Sequence, residues 1–161
     1  ALELIAAAAE GGLRDAESLL DQLASSKEKI TAEIVELTIG KVGFARVSSF
    51  AELLLKRDLP ESLAFIAKLM REGHNILDLT KETIHYLRRA LSLKLDPRLS
   101  KLFAEELTTS ELEILTRQSA LTDAVKTPTL LRALIRAYSE MRYSPFASVP
   151  LEVAIIEELQ K

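Results

Sequence analysis

After Gly73 the chain runs to its end without another glycine. Tight reversals between β-strands depend on residues that accept positive φ, so the second half has little scope for hairpins. The residues that abound instead are Leu, Ala, Glu and Lys, and aromatics make up only 5%. That balance favours helices over strands. With 48% hydrophobic residues in a chain of 161, there is enough apolar material for one ordinary domain or two small ones. The expectation is an all-α protein.

Helix signals punctuate the chain in order. Leu2 to Glu10 reads as a first helix, stopped by Gly11-Gly12. A second follows from Leu13 to about Ser25, with Leu13, Ala16, Leu19, Leu20 and Leu23 on one face. Thr31 caps a third, which stops near Gly40. The stretch from Gly43 to Arg46 is the expected boundary between two helical units, 1–43 and 47–161. Beyond it, Ser49 and Glu52 have capping-box spacing for a helix through Lys56. Asp58-Leu59-Pro60-Glu61 combines a cap, an early proline and a glutamate at the third helical position. Its helix carries Leu63, Ile66, Ala67 and Met70 and is ended by Gly73.

Asn75 caps a long helix, Ile76 to Leu95, with Leu77, Ile84, Leu87, Leu91 and Leu95 at helical spacing, and Asp96-Pro97 breaks it. A short helix from Leu99 to Leu107 comes next. Thr108 and Glu111 repeat the capping-box spacing and open a helix to about Ala124. Thr127-Pro128 starts another, in which Leu130, Leu131, Leu134, Ile135, Tyr138 and Met141 hold a broad apolar face. Tyr143 to Phe146 is a turn. Pro150 to Gln160 is the last helix, with Leu151, Ala154, Ile155, Ile156 and Leu159.

Several functions are excluded or disfavoured. Without cysteine there is no disulfide or thiolate metal site, and His74 and His85 are too few and too polar in setting to argue a metal centre. A net charge of −3 does not suggest a surface that coats nucleic acid. Arg88 and Arg89 read as a solvated helix face, since no stacking aromatics accompany them. Apolar runs such as Leu53-Leu54-Leu55 are too short to span a membrane. No catalytic constellation or phosphate loop stands out. The chain opens on Ala1 inside an apparent helix, so it reads as a piece of a longer protein.

Arg14 is the candidate functional residue. It lies off the apolar face of its helix, near an N-terminus whose free N–H groups favour an anion. Its five-donor fork can reach a phosphate in a neighbouring cleft. On spacing alone, an arginine there is usually a solvated residue or one paired with a carboxylate such as Glu10, and phosphate contact needs a confirming context.

The segment Gly11-Gly12-Leu13-Arg14-Asp15-Ala16-Glu17-Ser18-Leu19-Leu20-Asp21-Gln22 resembles the sensor 2 segment of the gamma/tau subunits of the bacterial DNA polymerase III clamp loader. Ile30 to Glu33 and Gly40-Lys41-Val42 resemble that family's close of the lid. Gly73 to Leu77 and Tyr86 to Leu95 resemble the opening of its third domain. Pro145 and Leu151-Glu152-Val153 resemble its end.

The resemblance implies part of an AAA+ lid over 1–43 and a helical collar domain over 47–161. It implies that Arg14, with Leu13 beside it, meets the terminal phosphates of ATP bound with Mg in a preceding domain, which would carry the phosphate loop. This piece would then have no catalytic or metal-binding residue of its own. Implied partners are further gamma/tau copies and the delta and delta-prime subunits, with the sliding clamp and primed DNA reached through the whole complex. The implied setting is the bacterial cytoplasm. The alternatives are another clamp-loader subunit, such as one like delta-prime, or a non-enzymatic helical scaffold.

Overall fold

The structure is a computed structural model that describes residues 43–161. The chain divides between Gly43 and Phe44, and the second unit is the one described. The helices expected before Gly43, the Thr31 cap and the Arg14 segment lie outside the described residues.

Among the described residues there is no strand. The α-helices are α1 (Phe44–Leu55), α2 (Leu59–Arg71), α3 (Ile76–Leu95), α4 (Ser100–Phe103), α5 (Thr109–Ser119), α6 (Lys126–Met141) and α7 (Val149–Leu159), with a 3₁₀ turn at Pro97–Leu99. The all-α expectation holds. Helix α3 is the axis: α1, α5 and α6 pack around it, and α7 lies along α6 and touches α2. Phe50 and Leu54 of α1, Ile66 of α2, Leu79 and Leu87 of α3, Leu115 of α5, Leu134 of α6, and Leu151 and Ile155 of α7 are fully buried. Each such side chain contributes roughly 1.5–3 kcal/mol relative to leaving it in water.

Local chemistry sets many of the helix ends. Asp58 Oδ1 accepts from the Glu61 N–H at 3.1 Å, at the head of α2. Asn75 Oδ1 accepts from Leu77 and Asp78 at 3.0 and 3.2 Å. Thr108 and Glu111 form a reciprocal capping box, Thr108 N–H to Glu111 Oε2 at 2.8 Å and Glu111 N–H to Thr108 Oγ1 at 3.3 Å. Gly73, at φ +79°, turns the chain after α2. There Gly73 N–H donates to the Met70 carbonyl and His74 N–H to the Leu69 carbonyl.

Other starts differ from the sequence expectation. Helix α1 begins at Phe44, so Ser49 lies inside it as an exposed residue and caps nothing. The extra turn is held by packing: the Phe44 ring meets Tyr86 edge-on at 5.6 Å, and Val47 is buried. Helix α6 starts at Lys126 with Thr127 already inside it. Asp123 supplies the acceptor, its Oδ1 taking the N–H groups of Val125 and Lys126 at 2.8 and 2.7 Å. The Asp123 N–H donates to Thr127 Oγ1 at 2.9 Å. Helix α5 stops at Ser119, and the helix expected over 99–107 shrinks to α4.

Several buried faces are turned from those the spacing suggests. On α2 the inward residues are Ser62, Ile66 and Leu69, while Ala67 and Met70 face out. On α3 the inward row runs through Ile76, Leu79, Thr80, Thr83, Tyr86, Leu87, Ala90 and Leu93, and Leu95 is exposed. On α6 the row is Leu130, Ala133, Leu134, Ala137 and Met141, leaving Ile135 51% exposed. An adjacent pair on α6 therefore separates core from surface. Leu134→Ala should destabilise the chain by about 2–5 kcal/mol. Ile135→Ala should stay within about 0.5 kcal/mol. Urea unfolding of the two variants measures both, and equal losses would show that α6 is rotated from the packing described.

Candidate functional site

The residues singled out for nucleotide contact, Leu13 and Arg14, lie outside the described residues. Within residues 43–161 three polar clusters and the α6–α7 hairpin are the places where function could reside.

The first cluster braces α1, α3 and α5. Tyr86 Oη donates to Gln118 Oε1 at 2.7 Å, and Gln118 Nε2 donates to Glu52 Oε2 at 3.0 Å. Glu52 also pairs with Lys56 at 2.5 Å. The Lys56 hydrogen bond holds the Glu52 carboxyl below its usual range despite an opposing desolvation effect. Burial, and then the negative charge of Glu52, push the Tyr86 phenol well above its ordinary value. A phenol that keeps its proton and is committed to an amide is a poor acid or base at neutral pH. Gln118 was not visible as important in the sequence, because its value lies in two partners from distant helices.

The second cluster surrounds Arg89. Arg88 is exposed, as a solvated face requires, but Arg89 is half-buried. Its guanidinium lies 5.7 Å from the centre of the Phe103 ring and pairs with Glu106. Two neighbouring arginines thus have different roles.

The third is a shallow recess lined by Leu54, Leu55, Arg57, Leu121, Asp123 and Lys126, among others. Arg57 and Lys126 would be the groups to hold a phosphate, but the recess does not fit one. Arg57 Nη2 donates to the Glu158 carbonyl, and the Asp123 carboxylate stands on the same wall. Arg57 also adopts φ +59°, a left-handed conformation usual for glycine. Its N–H and that of Asp58 close the end of α1 on the Leu54 and Leu53 carbonyls. Among the described residues there is no group of three or more side chains able to hold a metal ion. None of their helices is long and apolar enough to cross a membrane.

The last place is the α6–α7 hairpin. A shallow groove between the two helices has Ala133, Ala137 and Ala154 in its floor, with Arg136, Glu140, Val153 and Glu157 along its sides. Arg136 and Glu157 face each other at 3.7 Å. On the same hairpin Ile135, Val149 and Val153 are about half exposed and the turn residues Tyr143 and Phe146 are 85% and 70% exposed, with Ile135 on the side of α6 away from the groove. Exposed apolar residues scattered in this way are ordinary on a folded surface. Sequence periodicity had assigned Ile135 to the apolar face and Tyr143 and Phe146 only to a turn.

A helical bundle of this architecture also occurs in a clamp-loader protein. The fold matches the Bacillus subtilis DNA clamp loader delta protein (YqeN) with a TM-score of 0.63 at 15% identity, over 98% of this chain and 49% of that one. Residues 1–33 match the family described as DNA polymerase III clamp loader subunit, ATPase lid domain. The chain is 28% identical over 160 residues to the DNA polymerase III subunit tau of Bacillus subtilis (strain 168), covering 99% of this chain and 28% of the relative. It is 33% identical over 96 residues to Protein STICHEL-like 1 of Arabidopsis thaliana, covering 60% of this chain and 8% of that protein. The chain therefore resembles clamp-loader subunits in both lid sequence and bundle fold. Within that class its likeness is to the tau-type subunit of DNA polymerase III, of which it spans little more than a quarter.

The Asp123 cap makes a pH-dependent prediction. The backbone N–H of Lys126, then that of Val125, holds its carboxyl below the usual carboxylate range. A depressed folded value means that the stabilisation is fully present above the ordinary value of about 4 and is lost as pH falls through the folded value. The wild type should exceed Asp123→Asn in urea midpoint at pH 7, and the gap should narrow by pH 3. An unchanged gap would show that the carboxylate charge contributes nothing to the cap.

Proposed function

We propose that this chain is the lid-and-collar part of a tau-like clamp-loader subunit, with residues 1–43 belonging to the ATPase lid and residues 47–161 to the collar. The similarity to a tau subunit along 99% of the chain, with the lid match at its start, carries the reading. In it, Arg14, with Leu13 beside it, meets the phosphates of ATP held with Mg by the nucleotide domain of the whole subunit. An arginine fork at a helix N-terminus suits that role. A contact made with ATP and not with ADP would bias the lid between two positions and pass the difference to the collar. This chain does no hydrolysis in that scheme. Its partners are other gamma/tau copies and the delta and delta-prime subunits, acting on the sliding clamp and primed DNA in the bacterial cytoplasm.

The α6–α7 hairpin supports the collar role. Ile135, Val153, Tyr143 and Phe146 on this hairpin are exposed apolar side chains available to a partner. Subunits packed side by side in a ring each present two different faces, and this hairpin would be one of them.

Two experiments test the reading. In the full-length subunit, Arg14→Ala should weaken ATP-dependent clamp loading while circular dichroism stays helical. One charge-assisted contact is worth about 1.5–3 kcal/mol, or roughly ten- to a hundredfold in apparent ATP affinity. Unimpaired loading would remove Arg14 from the site. For the collar, a subunit lacking residues 47–161 is mixed with delta and delta-prime, and complex mass is read by light scattering. The expected result is no stable complex, with Tyr143→Ser/Phe146→Ser in the intact subunit weakening assembly. A full complex without residues 47–161 would end the collar assignment.

A further inference from the structure

Between the caps at Asp96 and Thr108 the chain forms a strap of unusual construction. It comprises the 3₁₀ turn at Pro97–Leu99, the single-turn helix α4 and an irregular stretch through Leu107. Of residues 97–108 only Phe103 is buried, and Leu102 is 53% exposed. The backbone bonds of its second half are local: Ala104 N–H to the Ser100 carbonyl, Glu105 to Leu102, and Glu106 and Leu107 both to Phe103. A segment with one buried side chain and local hydrogen bonds has little to keep it closed when the rest of the domain is intact.

The strap packs on α3 and α5, and among the side chains that reach it is Arg89 of α3. Its guanidinium lies over the Phe103 ring and pairs with Glu106, so one side chain holds both the apolar anchor and the exposed end. Glu106 is more than half exposed, which keeps the pair accessible to solvent and salt. The Arg89 Nε is buried with no hydrogen-bond partner, so the closed arrangement leaves one of its donors unsatisfied. Closure thus stacks the ring and pairs the charges while leaving that donor unbonded.

We infer that residues 97–107 form a strap latched by Arg89, which opens as a unit while the bundle around α3 stays folded. Opening bares Phe103 beside the already exposed Leu102 and frees the Arg89 and Glu106 charges. The hinges are the two capped positions. Asp96 accepts from the Arg98 N–H at 3.1 Å, and Thr108 is held in its box with Glu111. The Thr108 box lies outside the strap, while Asp96 holds Arg98 at the strap's own start. This inference does not depend on the collar reading.

Amide hydrogen exchange of the whole 161-residue chain tests it. The amides of Ala104 to Leu107 should exchange at least about tenfold faster than the buried amides of α3 and α5. Glu106→Gln should speed those strap amides a further twofold to fivefold or so, as expected for an exposed ion pair. The amides of Leu87 and Leu115 and the urea midpoint should not move. Raising ionic strength from about 0.05 to about 0.5 M should speed the strap in the wild type and have little effect in Glu106→Gln. Arg89→Lys, which keeps the charge and loses the planar stack, should fall between the two. Strap amides that exchange in step with the α3 core would overturn the inference. So would a Glu106→Gln change spread evenly over the whole chain.

Discussion

A helix surrounded on three sides must dispose of its own polar atoms, and α3 is such a helix. It buries Thr80, Thr83 and Tyr86 along with its aliphatic residues. Thr80 returns its hydroxyl to the Ile76 carbonyl at 2.8 Å, a bond internal to the helix. Tyr86 cannot do that and depends on Gln118 of α5, which in turn depends on Glu52 of α1. Losing one member leaves buried partners unpaired, which costs more than the bond itself contributes. The hydrogen-bond chain therefore fixes the mutual register of three helices, and the apolar contacts fill in around it. The Thr83 hydroxyl and the Arg89 Nε are the exceptions on this helix, buried with no partner.

The same bundle divides its arginines by task. Arg57 accepts a left-handed backbone conformation at the end of α1 and donates to a carbonyl in the last turn of α7, so it ties together the two ends of the described unit. Arg89 holds the strap. Arg136 faces Glu157 across the α6–α7 groove, where both side chains stay wet and the pair contributes little to stability. None of these roles follows from residue type alone, because each depends on which carbonyl, ring or carboxylate the fold brings within reach.

A tau-like reading and a delta-like fold are compatible. The bundle is a scaffold on which subunits of different activity can be built, and a likeness of 15% identity speaks for the scaffold alone. The lid match over residues 1–33 and the tau similarity along the chain carry the finer reading.

The sequence by itself determined the helical class and the helix ends whose caps are local. Asp58, Asn75, Thr108 with Glu111, and Gly73 act within three or four residues of themselves, so their chemistry is complete in the sequence. Pro97 after Asp96 is a break of the same kind. Tertiary structure decided what depends on distant partners. Tyr86 drew α1 back to Phe44, leaving Ser49 without a role as a cap. Asp123, four residues upstream, displaced Thr127 as the opening of α6. Packing also chose Leu69 over Met70 and Leu134 over Ile135 for the interior. Adjacent residues on a helix are about 100° apart, and a broad apolar arc contains both members of such a pair. Only the position of the neighbouring helix selects which of them faces the core.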